Sequence, residues 1–132
     1  MINQLAFFLS LILLCSCDND DNTIVEQDND LLHAWCLIEF RPGFGPTDNY
    51  SNCEIRWEFQ SSDSVEVEVN TNVSSNLPLS NTGIYYYSYD PSNSKITIET
   101  IEYDVVLNSS SLEISDNPAA DGPHLIFEKA SD

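Results

Sequence analysis

The chain has 132 residues with 22 acidic and four basic side chains, giving a formal net charge of −18. That imbalance excludes nucleic acid as a partner, because phosphate neutralisation needs clustered Lys and Arg, and Arg41, Arg56, Lys95 and Lys129 are scattered. It also excludes charge-driven adsorption to an anionic membrane surface, and the length suits one domain with a modest core.

Residues 5–14 are apolar except for Ser10. The run is too short for a membrane-crossing helix, which needs about 20 residues, and fits the apolar stretch of a secretory signal. It ends in Leu14-Cys15-Ser16-Cys17-Asp18. This stretch resembles the lipobox of bacterial lipoprotein signal peptides, in which a small residue precedes the modified cysteine. Ser16 meets that requirement and Leu14 does not. The resemblance implies cleavage after Ser16 and a lipid on Cys17, even though residues 1–4 contain no Lys or Arg. Asp18, Asp20, Asp21, Glu26, Asp28 and Asp30 follow. This acidic run is similar to the export signal of surface lipoproteins in Bacteroidota-type bacteria, and as a polymer it is a self-repelling tether. The expected division is a signal peptide at 1–16, an acidic tether at 17–30 and a folded domain at 31–132. The expected location is the outer membrane, lipid-anchored and facing the cell surface, with the membrane as partner through two or three acyl chains.

Cys15 is lost with the signal and Cys17 is acylated in this reading, so Cys36 and Cys53 remain in an oxidising compartment. A bridge between them would stabilise by about 3 kcal/mol in the chain-entropy account. The alternative is two free thiols.

The folded part begins with residues 31–41, read as a short helical turn leading into a strand with Trp35, Leu37 and Glu39 on one face. Pro42-Gly43-Phe44-Gly45-Pro46 breaks the chain. Residues 53–60 alternate, with Ile55, Trp57 and Phe59 against Glu54, Arg56 and Glu58, the period of a half-buried strand. After Ser61-Ser62-Asp63, residues 64–70 repeat the pattern with Val65, Val67 and Val69 inward, which predicts a hairpin. Residues 71–81 are Asn- and Ser-rich and read as a loop. Residues 83–89 place Tyr85, Tyr87 and Tyr89 on one face and Ile84 and Tyr86 on the other. A turn at Asp90-Pro91-Ser92-Asn93 follows, then strands carrying Ile96 and Ile98, and Ile101, Tyr103, Val105 and Leu107. Leu112 with Ile114 and Leu125 with Phe127 mark the last two. About eight short strands with almost no helix signal predict an all-β antiparallel barrel, with a sandwich as the alternative.

The order of Trp35, Trp57 with Phe59, Gly83 with Tyr85, Ile96 with Ile98, Leu112 with Ile114, and Leu125, Phe127 and Lys129 resembles the small lipocalin-like domains of bacterial lipoproteins. His33-Ala34-Trp35 stands where lipocalins usually have Gly-x-Trp. The resemblance implies an eight-stranded barrel that binds a small apolar or amphipathic ligand.

No catalytic constellation can be assembled. His33 and His124 sit in no nucleophile or metal motif. The pairs Glu66/Glu68 and Glu102/Asp104 project from one strand face each, as solvated walls do. Asp18-x-Asp20-x-Asn22 lacks the glycine and closing Glu of a calcium loop. No metal, no cofactor and no enzymatic activity are expected. Trp57, Phe59, Tyr85, Tyr87 and Tyr103 are candidate ligand-lining residues, since aromatic walls with polar tips suit an amphipathic ligand. Large side chains can instead fill a small barrel completely. A non-enzymatic interaction or structural protein, inhibitor- or adhesin-like, would then act through surface loops, with Arg41 and Phe44 as candidate partner contacts. Asp63-Ser64-Val65 resembles the short O-glycosylation site of Bacteroidota-type proteins.

Overall fold

The computed structural model describes residues 30–132. The signal peptide, Cys17 and the acidic run before Asp30 lie outside the described residues. The described chain forms nine strands: β1 (Ala34–Arg41), β2 (Asp48–Asn49), β3 (Ile55–Gln60), β4 (Ser64–Val69), β5 (Gly83–Asp90), β6 (Lys95–Ile98), β7 (Ile101–Leu107), β8 (Ser111–Ser115) and β9 (His124–Lys129). One 3-10 turn, Pro118–Ala120, precedes β9.

Alternation sets which side of each strand is buried. In β3, Ile55, Trp57 and Phe59 are buried while Arg56 and Glu58 are half-exposed, and β4 buries Val65 and Val67 opposite Phe59 and Trp57. The strands run in the order β1-β3-β4-β5-β6-β7-β8-β9, each pair antiparallel, and β9 pairs back onto β1. The sheet is therefore a closed eight-stranded barrel, and β2 is a two-residue strand beside the end of β1. Closure leaves no long unpaired edge. This is the barrel, not the sandwich.

The start of the chain differs from expectation. Leu31 enters through a turn, with the His33 amide donating to the Leu31 carbonyl at 2.7 Å, and no α-helix forms there. Leu31 is fully buried and its carbonyl also accepts from Trp35 Nε1 at 3.1 Å, so this turn closes one end of the barrel. Glu39 does not share the inner face with Trp35 and Leu37. The β1–β9 register shifts between Leu37 and Glu39, and the extra residue brings Phe40 inward. Ile101, expected inside, is half-exposed at the start of β7.

Antiparallel succession puts the loops at residues 42–54, 70–82, 99–100 and 116–123 at one end, called here the mouth, and the short turns at the other. The Cys36–Cys53 disulfide is formed, with Cα atoms 4.8 Å apart. It ties the long loop after β1 back to the middle of that strand. Leu77, in the Asn- and Ser-rich 70–82 loop, is buried in the core cluster, and Val73 and Leu79 are partly buried against that cluster. Leu77 thus pins the loop across the mouth.

Candidate functional site

The barrel interior is strongly aromatic because the inward positions of β1, β3, β5, β7 and β9 carry large rings. Trp35 and Trp57 are cross-strand partners, and both are buried. The Trp57 ring lies 5.0 Å from Phe127 and 6.3 Å from Phe59, and Phe59 meets Tyr87 edge-on at 5.0 Å. Of the five candidate lining residues, Trp57, Phe59, Tyr87 and Tyr103 are buried inside. Tyr85 is half-buried at the edge of this cluster, with its hydroxyl donating to the Asn81 carbonyl at 2.9 Å.

Polar atoms within this wall are few, and their partners decide its chemistry. The Tyr87 hydroxyl donates to the Gln60 carbonyl at 2.9 Å. Burial raises its pKa, and the Asp63 carboxylate adds to the effect. Burial likewise raises Tyr103, followed by the charge of Asp116. Both phenols stay neutral and able to donate in neutral solution. Trp57 Nε1 is buried and finds no acceptor among the described residues. Its counterpart Trp35 is satisfied by Leu31.

The proposed partner contacts do not come together. Arg41 is exposed and paired with Glu39 on the outer wall. It lines a cleft of about 310 Å³ with Asp121 and His124. Phe44 is 84% exposed and belongs to a different groove, of about 560 Å³, between the 42–54 loop and residues 71–76. Sequence reasoning missed Tyr50, half-buried in that groove, and Leu77, which anchors its far wall. Neither lies in a periodic segment, so no pattern marked them.

The two histidines are at opposite ends of β1. His124 pairs with Glu113 through Nε2 at 3.0 Å, and the His33 ring meets Trp35 edge-on. Among the described residues, no three His, Cys, Asp or Glu side chains are grouped as a metal ion would need. The carboxylates on the outer walls of β3 and β7 are engaged by cations: Glu58 by Arg56, and Asp104 by Lys95 at 2.6 Å.

No family model and no curated protein matches this sequence. Among solved structures, the chain is similar to a lipocalin-like protein from Bacteroides uniformis ATCC 8492, with a TM-score of 0.55 and 18% identity. The match covers 76% of this chain and 99% of the other. At that identity the likeness is one of fold, and the described chain has the closed antiparallel barrel of the lipocalin-like fold.

Proposed function

We propose that this protein is a lipid-anchored lipoprotein of the outer membrane, facing the cell surface, whose barrel holds a small apolar or amphipathic ligand and performs no catalysis. The anchor reading rests on the sequence from Leu11 to Asp21, with Cys17 as the acylated residue. The observation that carries the binding reading is Trp57 Nε1, a buried donor without an acceptor in an otherwise apolar and aromatic interior. An unpaired buried donor costs about 1–3 kcal/mol. A ligand with an apolar body and one carbonyl or ether oxygen would offset that cost while adding contact area against Phe59, Tyr87 and Tyr103. The likeness in fold supports the same class of role at the level of architecture.

A second reading is favoured by the close ring contacts, Trp57 to Phe127 and Phe59 to Tyr87, both at 5.0 Å. In it the interior is filled by the protein itself and recognition passes to the loops, where Phe44 is displayed. Titration with a neutral fluorescent naphthylamine that carries one carbonyl acceptor, 6-propionyl-2-(dimethylamino)naphthalene, separates the two. Saturable binding at one site per chain, weakened by Trp57→Phe, is expected for the ligand-holding barrel. Absence of saturable binding would assign recognition to the loops.

A further inference from the structure

The groove between the 42–54 loop and residues 71–76 has two fixed walls. On one side, β2 pairs with Glu39 and Phe40, the Tyr50 amide donates to the Ile38 carbonyl at 3.0 Å, and the Cys36–Cys53 bridge closes the loop behind it. On the other side, the buried Leu77 holds residues 71–76 against the barrel. The walls are therefore set before any ligand arrives, which limits the ordering cost of binding.

Phe44 is positioned by backbone that few residues could adopt. Gly43 and Gly45 on either side have φ of +85° and +108°. A Cβ on Gly43 would lie 1.9 Å from the Asp121 carbonyl oxygen, so the loop is seated directly on the 116–123 segment. The tight, proline-bracketed turn leaves the Phe44 ring 84% exposed at the groove's rim. Tyr50 supplies a second aromatic surface. Burial raises its pKa, with Asp48 and Glu54 adding to the effect, so its hydroxyl remains a donor.

Apart from Pro42, Pro46 and the acidic Asp48 and Glu54, the rest of the lining consists of neutral hydrogen-bonding groups. Asn49, Asn72 and Asn76 each offer an amide that both donates and accepts, and Thr47, Thr71 and Ser74 add hydroxyls. Among the described residues no Lys or Arg lines the groove, and Asp48 and Glu54 would repel an anion. The volume, about 560 Å³, falls in the range of small-molecule sites. Two ring surfaces, three side-chain amides and several hydroxyls on rigid walls match a ligand with apolar C–H faces edged by neutral hydroxyls.

We propose that this mouth groove is a binding site for a neutral oligosaccharide, with Phe44 and Tyr50 stacking on sugar rings and Asn49, Asn72 and Asn76 bonding to the hydroxyls. It is separate from the barrel interior and does not depend on whether the interior holds a ligand.

The test is affinity electrophoresis of the purified full chain in native gels containing soluble starch, xylan, galactomannan or mixed-linkage β-glucan, with polygalacturonate as the anionic comparison. Retardation in at least one neutral gel is expected, with Phe44→Ala weakening the apparent affinity about tenfold or more. Ile84→Ala, at an exposed apolar position on the outer wall, should leave the retardation unchanged. The Phe44 ring makes little buried contact, so the variant should keep the wild-type urea midpoint, and that measurement verifies that it folds. Free mobility in every neutral gel, retardation by polygalacturonate alone, or retardation that survives Phe44→Ala would overturn the proposal. The naphthylamine titration reads the interior independently, so either reading can fail without the other.

Discussion

Trp35 and Trp57 face each other across β1 and β3 as register partners, yet only one has a hydrogen-bond partner for its indole. Trp35 Nε1 donates to Leu31 at 3.1 Å, whereas Trp57 Nε1 is buried without an acceptor. The two residues share residue type, burial and sheet position, so they form an internal comparison. Trp35→Phe removes ring volume and a hydrogen bond, and it releases the turn that closes one end of the barrel. Trp57→Phe removes similar volume and relieves an unpaired donor. In the ligand-free protein, Trp35→Phe should destabilise more than Trp57→Phe by about 1 kcal/mol or more. Urea denaturation of the two variants checks this. Equal losses would mean that Trp57 has an acceptor in solution.

The disulfide closes a loop with a sequence separation of 17, worth about 3 kcal/mol in the chain-entropy account. Replacing both Cys36 and Cys53 by Ala should therefore lower the unfolding free energy by about that amount. Reduction of the wild-type chain should give a similar loss. Unchanged urea midpoints with and without reductant would show that the bridge carries little of the stability.

Leu77 is the apolar pin of the mouth loop. Leu77→Ala should cost about 2–5 kcal/mol, the range for truncating a buried leucine. Leu79→Ala, at a partly buried position beside it, should cost less. Backbone amide exchange should rise through residues 70–82 in the Leu77 variant and stay unchanged in β7 and β8. A uniform rise across the barrel would contradict this local role.

Gly43→Ala combines a positive φ with a Cβ placed against the Asp121 carbonyl. It should destabilise by at least about 1 kcal/mol. Gly45→Ala, whose nearest contact would be a Pro42 side-chain carbon at 3.9 Å, meets only the backbone strain and should cost less. Thermal unfolding of the pair measures the difference.

Four phenols, Tyr50, Tyr87, Tyr89 and Tyr103, have pKa values raised above 10.0, in each case chiefly by burial. A raised folded-state pKa gives stability that is fully present below the unfolded value and is lost as pH rises through the folded value. Stability should thus hold up to about pH 10 and fall above it. The urea midpoint followed from pH 8 to 11.5 should show that decline, reduced in Tyr103→Phe. A midpoint that does not fall above pH 10 would contradict the burial of these phenols.

The barrel was legible where alternation was strict. Ile55, Trp57 and Phe59, followed by Val65 and Val67, announced a hairpin with one buried face, and Tyr87 and Tyr103 were placed inside by the same period. The misplacements occur where alternation fails. The register shift at Leu37/Glu39 swaps Glu39 for Phe40, and nothing in the local composition marks a bulge. Ile101 keeps its strand but loses its burial because it sits at the strand's first residue. Leu77, like Val73 and Leu79, stands among Asn and Ser in a segment read as a loop, so no strand period marked it for burial. The mouth groove joins residues about 25 positions apart in sequence, so it exists only after closure, and Arg41, paired with Glu39, lines a different cleft from Phe44.

The central claim is that the barrel of an acylated lipoprotein carries a small ligand. Native mass spectrometry of the full chain released from its own membrane, compared with a denatured sample, tests it most directly. The account predicts a mature chain starting at Cys17 and bearing acyl groups, with an additional small-molecule mass that is lost on denaturation. A chain that retains Met1, or one whose native and denatured masses are identical, would contradict the anchor or the ligand respectively.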